Sequence, residues 1–205
     1  MTTGNLPNNT IQLIDVRLSF LHCFAPFKGD NGESYCVNAI VEPNHPQLGA
    51  LSTIIRRVAL EKFKEQTDAM LAQMKAANTL CLHRGETKAN RPEYVGKLFV
   101  SASNKRRPRI VATVGGVNTE VDEDHPKAPY SGCRGSVLID IWAQNNKWGK
   151  RINATLLGVQ FLRHDERLTG GGRIATVDEF ALAPEDADSM PTDGGPEPNG
   201  NSSLV

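Results

Sequence analysis

The stretch SVLIDIWAQ-NNKWGK-RINATLLGVQFL, residues 136–162, decides how this chain folds. Apolar and polar residues alternate through 136–144, and 151–162 is rich in residues that favour strands, so these two runs predict an antiparallel hairpin. Gly158, in the middle of the second run, indicates a bulge or the close approach of another backbone. The predicted buried face of the first strand holds Val137, Ile139, Ile141 and Ala143.

A second hairpin is predicted near the amino terminus. Residues 11–21 and 34–41 each have the apolar pattern of a strand, and 24–32 between them reads as a loop because it ends in Asp-Asn-Gly. The alternation slips once near Ile14 and Asp15, which indicates an irregularity in the first strand.

The middle of the chain predicts a helical region followed by further strands. Pro46 suits the first turn of a helix. From 47 to 77 apolar residues recur at helical spacing, which fits either one long helix or two joined near Thr67. Additional strands are predicted within 92–103 and at 110–114.

This order of elements predicts a mainly β fold, an OB-fold-like Greek-key barrel with a helical insertion between its early and late strands. Residues 1–9 are expected to form a flexible lead and 10–180 a single domain. The glycine triplet at 170–172 predicts a flexible joint. Residues 181–205 are predicted to be a disordered acidic tail, because they contain too few apolar residues to form a core.

Charge is unevenly divided along the chain. The formal net charge is zero, but residues 178–205 hold seven acids and no lysine or arginine. The preceding residues therefore carry 23 basic and 16 acidic side chains, a net charge of about +7. A basic body of this kind favours an anionic partner such as nucleic acid.

Cations are densest at 104–109, and a second group follows Trp148 in the central hairpin. Crowded positive charge suits phosphate binding, although a solvated basic turn is an alternative for 104–109. The predicted phosphate-binding residues are Lys97, Lys105, Arg106, Arg107, Arg109, Lys150 and Arg151.

Aromatic side chains near these cations are candidates for stacking on bases. Trp148 and Phe99 are the first candidates, and Tyr94 and Tyr130 are secondary ones. Phe99 could equally cover a satellite core. Trp142 is expected to pack beneath a loop or helix instead, as strand tryptophans commonly do.

An acidic loop offers an alternative, enzymatic interpretation. Asp122, Asp124 and His125, with Asp140, could bind a divalent ion in a small nuclease. Neighbouring loop residues cannot all converge on one ion, so a solvated acidic loop is favoured and no catalytic residue is predicted. A further alternative is a β-rich assembly protein whose basic loop fits a protein partner.

The four cysteines lack the paired spacing of a zinc module. His22 next to Cys23, or Cys81 near His83, could be imagined as ligands, but we predict no metal and no cofactor. Without a secretory leader or a long apolar run, the sequence predicts reduced thiols in a cytoplasmic protein that does not enter a membrane.

Several segments, in this order, resemble the bacteriophage single-stranded-DNA-binding proteins of the podophage replication type. The resemblance covers about residues 10–180. It is carried by GKLFVSAS (96–103), RP (107–108), PYSGC (129–133), LLGVQF (156–161) and GGG (170–172), together with the acidic tail.

The resemblance implies an OB-fold core and sequence-tolerant binding of single-stranded DNA in phage replication, recombination or repair. It also implies contact between the tail and replication proteins such as polymerase or helicase-primase. Separately, we allow for a homodimer, and we expect a phage-encoded protein to lie in the host cytoplasm. Tails of this kind often end in an aromatic residue, whereas this one ends Ser203-Leu204-Val205. The tail residues expected to meet partners are Glu185, Asp186, Asp188, Asp193 and Glu197.

Overall fold

The computed structural model describes residues 6–30, 32–88 and 90–168. The predicted glycine joint at 170–172 and the predicted tail at 181–205, with its five acidic contact residues, lie outside the described residues. Most of the predicted lead is also outside them, but the carbonyl of Asn9 accepts a hydrogen bond from the amide of Ile141 (2.9 Å).

Eight strands and two helices make up the described part of the chain. Short 3-10 turns at 64–66, 85–88 and 92–94 connect some of them. The elements are β1 (Thr10–Gly29), β2 (Gly32–Val41), α1 (Leu48–Phe63), α2 (Thr67–Ala76), β3 (Leu82–Arg84), β4 (Leu98–Asn104), β5 (Arg109–Val114), β6 (Val117–Glu120), β7 (Arg134–Asn146) and β8 (Gly149–Arg163).

Five of these strands close into a barrel, as the sequence predicted. Strand β1 pairs with β2 on one side and β7 on the other, β2 continues to β4, and β7 continues to β8. A parallel contact between Ser103 of β4 and Thr155 of β8 completes the ring. Strand β3 adds to the edge of β4, and the β5–β6 hairpin adds to β8.

The central hairpin is confirmed and is longer than predicted. Strands β7 and β8 pair antiparallel from Arg134 to Asn146, with Lys147 and Trp148 at the turn. The side chains of Val137, Ile139 and Ile141 are fully buried because the period of two places all of them inside the barrel.

Gly158 satisfies both parts of its prediction. The β7–β8 register shifts between Leu138 and Ile139, opposite this glycine. Strand β5 also runs so close that a Cβ at position 158 would lie 3.3 Å from the carbonyl oxygen of Arg109. A side chain at position 158 would therefore crowd the backbone of β5.

Strand β1 confirms one prediction and corrects another. The predicted slip is a bulge at Asp15, where φ is 59° and the β1–β7 register shifts between Leu13 and Val16. The predicted loop at 24–32 is wrong, because β1 continues to Gly29 and pairs Phe27 with Ser34. Two further register shifts between Ser19 and Phe27 remove the regular alternation by which a strand is recognised.

The helical region consists of two helices, the second of the two forms that its sequence allowed. Lys64, with φ of 50°, lies at the junction between α1 and α2. The apolar face of α1 packs into the barrel core through Leu51, Val58 and Phe63. No helix among the described residues is long and apolar enough to cross a membrane.

All four cysteines are free thiols. Burial raises the pKa of Cys23 and Cys81 to about 12 and that of Cys133 to about 11. Burial also raises the pKa of the half-buried Cys36. At neutral pH these side chains are therefore protonated.

Candidate nucleic-acid interface

A polar cavity of about 260 Å³ opens on the outer surface of the barrel where β4 and β8 meet. On β4, Val100 and Ala102 point into the core, so Ser101 and Ser103 face outward. Trp142 of β7 and His83 of β3 complete the walls. The remaining polar lining comes from Asn78, Thr79, Gln144, Arg151, Asn153 and Thr155.

Two neighbouring cavities extend this surface in both directions. One, of about 370 Å³, shares Ser103 and Thr155 with the first and adds Lys105. The other, of about 280 Å³, shares Thr79 and Arg151 and adds Lys150 and Trp148. The shared residues join all three into one depression, the β4–β8 groove, which runs from Lys105 at one end to Trp148 at the other.

Two tryptophans present their rings along the β4–β8 groove. Trp148 lies at the tip of the β7–β8 hairpin and is 74% exposed, with Lys147 Nζ 5.2 Å from its ring centre. Trp142 is 42% exposed, and its Nε1 donates a hydrogen bond to Thr155 Oγ1 (3.0 Å). The prediction that Trp142 packs beneath a loop or helix is wrong, because it lies on the outer face of β7 opposite Asn153.

The electrostatics of the groove are positive. Within residues 6–168 as described, no carboxylate lies within ion-pair distance of Lys105, Lys150 or Arg151. The described walls hold one carboxylate, Glu33, and its Oε1 already lies 3.3 Å from Lys28 Nζ. The cations are therefore available to an anionic ligand.

The basic turn after β4 is held at the Lys105 end of the groove by Asn104. Its Nδ2 donates to the carbonyl of Leu156 (2.9 Å), and its Oδ1 accepts from the amide of Arg106 (3.0 Å). Arg106 is exposed, and the guanidinium of Arg107 lies 5.8 Å from the ring centre of Phe24.

Two predicted phosphate-binding residues have partners elsewhere. Lys97 Nζ lies 2.9 Å from Glu42 Oε1, and Arg109 lies 3.4 Å from Glu120 Oε2. Neither residue lines the groove. A cation that already faces a carboxylate gains less from a phosphate, so these two residues are weaker candidates than the others.

The structure buries two of the predicted stacking residues. Tyr94 is 0% and Phe99 4% exposed, and with Ile40 they form a small second core. Their rings meet edge to face at 5.1 Å, while His83 stacks on Phe99 at 4.8 Å. Neither ring has a face open to a base, so the prediction that they stack on DNA is not compatible with this structure, and the satellite-core alternative holds for Phe99.

Tyr130 already has neighbours on its ring. Arg167 lies 4.1 Å from its centre, and His164 stacks at 5.8 Å. The hydroxyl donates to the carbonyl of Asp165 (2.8 Å). Tyr130 is therefore part of the packing of residues 164–167 and not of the β4–β8 groove.

The acidic loop does not form a catalytic cluster in the described part of the chain. Asp122 and Asp124 are exposed, and His125 Nδ1 accepts a hydrogen bond from the amide of Lys127 (3.0 Å). Asp140 lies on β7, where its Oδ1 accepts from Thr10 Oγ1 (3.0 Å). Among the described residues, no three histidine, cysteine or acidic side chains are placed to hold a metal ion.

The polar floor of the groove was not among the features predicted from the sequence. Ser101 and Ser103 alternate with buried Val100 and Ala102, so a run of small polar residues on the outer face of β4 could have been recognised. The parallel pairing that places Thr155 beside Ser103 could not have been predicted, because it joins residues that are far apart in sequence.

One protein family and one related phage protein match most of this chain in sequence. The sequence pattern of the Enterobacter phage Enc34 ssDNA-binding protein family matches residues 9–190. A protein named p50 from Acyrthosiphon pisum secondary endosymbiont phage 1 is 33% identical over 175 residues, which are 83% of this chain and 91% of that protein.

Two solved structures are also similar. The single-stranded DNA-binding protein from bacteriophage Enc34, in complex with ssDNA, superposes with a TM-score of 0.59 at 26% identity, covering 78% of this chain and 90% of that one. The single-stranded DNA binding protein gp2.5 of bacteriophage T7 superposes with a TM-score of 0.53 at 11% identity over 81% and 98% of the two chains. The second likeness concerns the fold alone.

Proposed function

This chain belongs to the Enterobacter phage Enc34 ssDNA-binding protein family, and from that premise we propose that it binds single-stranded DNA along the β4–β8 groove without sequence preference. The observation that carries the proposal is the groove itself. It combines two exposed tryptophan rings with cations that face no carboxylate among the described residues. The matched family consists of DNA-binding proteins and not of enzymes.

Phosphate neutralisation supplies most of the affinity in this proposal. Lys105 lines one end of the groove with Arg106 next to it in the basic turn, and Lys150 and Arg151 line the other end. Each cation that meets a phosphate releases condensed counterions from the DNA, and this release does not depend on sequence. Lys97, Arg107 and Arg109 remain secondary candidates outside the groove.

Base stacking supplies the preference for single strands. Trp142 and Trp148 offer exposed ring surface, and unpaired bases can stack there while paired bases cannot. The serine, threonine and asparagine side chains of the floor can hydrogen-bond to sugar, phosphate or base edges with little discrimination.

The wider role that we propose is in phage DNA replication, recombination or repair. The acidic residues Glu185, Asp186, Asp188, Asp193 and Glu197 would bind basic surfaces of a polymerase or helicase-primase. We expect a chain ending at residue 180 to bind DNA but to lose salt-sensitive binding to the phage polymerase, measured by surface plasmon resonance. Undiminished polymerase binding by the shortened chain would reject this role for the tail.

Fluorescence anisotropy of labelled oligo-dT and of a matched duplex, each measured over a salt series, tests the proposal directly. With about four phosphate contacts, single-strand affinity should fall about 50-fold between about 50 and 200 mM salt, because the logarithmic slope is about −0.7 per contact. Duplex binding should be much weaker at every salt concentration.

Two outcomes would contradict the proposal. Equal binding to both DNAs would mean that the protein binds phosphates without stacking on bases. No binding to either DNA would show that the protein does not have the proposed function. Magnesium-dependent cleavage of the oligonucleotide that is lost in Asp122→Ala would favour the nuclease alternative instead.

A further inference from the structure

Phe20 is an exposed aromatic residue in an unusual backbone conformation. Its φ is 47°, in the left-handed region that bulky side chains rarely adopt, and its side chain is 38% exposed. It lies where the β1–β2 register shifts between Ser19 and His22. A regular strand would alternate Phe20 into the core with Leu18, whereas the bulge turns the ring outward. Disfavoured conformations of this kind concentrate at binding sites.

Two cations lie over the ring of Phe20. Lys88 Nζ is 5.2 Å and the Arg91 guanidinium is 5.0 Å from the ring centre. Both distances are within the range of cation–π attraction. An exposed ring accompanied by two positive side chains is the local chemistry that a nucleotide requires, since the base needs a flat apolar surface and its phosphate needs a cation.

The two ends of the segment that carries Lys88 and Arg91 are fixed by contacts of Gly85 and Tyr94. Tyr94 anchors it because the ring is fully buried and the hydroxyl accepts a hydrogen bond from Asn38 Nδ2 (3.2 Å). The amide of Gly85 donates to the carbonyl of Lys97 (2.8 Å), which closes the segment on itself. Lys88 and Arg91 therefore lie between two anchored residues, Gly85 and Tyr94.

Phe20 adjoins the β4–β8 groove through two sets of contacts. Lys88 also lies 6.0 Å from the ring centre of Phe99, and His83, which stacks on Phe99, is a wall of the groove. On the backbone side, the thiol of Cys36 lies 3.8 Å from the carbonyl of Phe20, and Cys36 pairs with the groove residue Ser103.

We propose that Phe20, Lys88 and Arg91 form a further nucleotide-binding position that continues the β4–β8 groove beyond His83. This inference rests on the proposed function. A base stacks on the Phe20 ring, and the two cations move from the ring to the phosphates on either side of that base. Because the bulge already turns the ring outward, binding requires no backbone rearrangement.

Substitutions at Phe20 test this position through oligo-dT affinity. Phe20→Ala should weaken binding of a long oligo-dT at least about fivefold, the lower bound expected for one stacked base. Phe20→Leu should be as weak, because it keeps apolar bulk but removes the ring, and Phe20→Tyr should restore affinity. Leu60→Ala truncates an exposed apolar residue on α1 and should leave affinity unchanged. Thermal unfolding of each variant reports whether the fold persists.

A direct optical readout separates stacking from stability. The substitutions Trp142→Phe and Trp148→Phe remove both native tryptophans, so adding Phe20→Trp leaves a single tryptophan, at position 20. Saturating oligo-dT should quench its emission if a base stacks there. Unchanged emission at saturation, or wild-type affinity in Phe20→Ala and Phe20→Leu, overturns the inference while leaving the proposed function intact. Failure of the unsubstituted protein to bind oligo-dT would instead overturn the proposed function.

Discussion

Replacing Gly85 with alanine is expected to lower the free energy of unfolding by about 3 kcal/mol, at the upper end of what overpacking a close contact costs. Gly85 is buried at the start of the segment between β3 and β4. A Cβ at this position would overlap the carbonyl oxygen of Tyr94 and lie 2.9 Å from the carbonyl oxygen of Lys97. Both obstacles are backbone atoms, so no side chain can move aside to relieve them.

The same substitution at Gly49 provides a matched control. Gly49 lies in the first turn of α1, and a Cβ there would meet no atom within 4 Å. Because alanine favours helix more than glycine does, Gly49→Ala should leave stability unchanged or raise it by up to about 1 kcal/mol. Urea denaturation of both variants measures the difference. Equal stability of the two variants would mean that the backbone between β3 and β4 shifts at little cost to accommodate the added Cβ.

The barrel could be predicted because its strands are recognised from patterns among residues that are close together in the sequence. The alternation from Val137 to Ala143 fixes which face of β7 is buried, and β8 follows after a short turn. The bulge at Asp15 was also readable, since one extra residue shifts the phase of an otherwise regular pattern. Both features can be predicted from residues that are neighbours in the sequence.

The interface was only partly predictable because long-range packing decides which rings reach solvent. Phe99 alternates with core residues on β4 and should therefore face outward, but Tyr94 covers it from a different segment. Trp142 was expected to be covered and is not. Sequence patterns indicate the face of a strand, whereas they do not indicate whether another element lies over that face.

Phe20 illustrates a second limit. Its place in an apolar run suggests a core residue, and the outward orientation arises from a register shift between β1 and β2. A residue conformation with positive φ is rare for phenylalanine, so propensity argues against it. The tertiary structure imposes that conformation, and the sequence alone carries no signal of it.

Removing the two exposed tryptophans should weaken DNA binding strongly. Trp142→Ala and Trp148→Ala are each expected to weaken oligo-dT binding by about 5- to 150-fold, the range for one stacked base. Trp142 lies four residue steps before Asn146, the last residue of β7, and four steps span about 13 Å along a strand, so the two rings should serve different bases. Losses at well-separated sites add as free energies, and the double variant should therefore bind at least about 30-fold more weakly.

The conservative variants distinguish stacking from structural damage. Trp142→Phe loses the hydrogen bond to Thr155 Oγ1 but retains an aromatic face, so it should bind nearly as tightly as the unsubstituted protein. Trp148→Phe should also bind nearly as tightly, because Trp148 is 74% exposed and its ring contributes little to the stability of the fold. If the phenylalanine and alanine variants lose affinity equally at both positions, stacking is not the contribution of these rings. If the salt dependence of binding nevertheless stays unchanged, the cations of the β4–β8 groove alone hold the DNA.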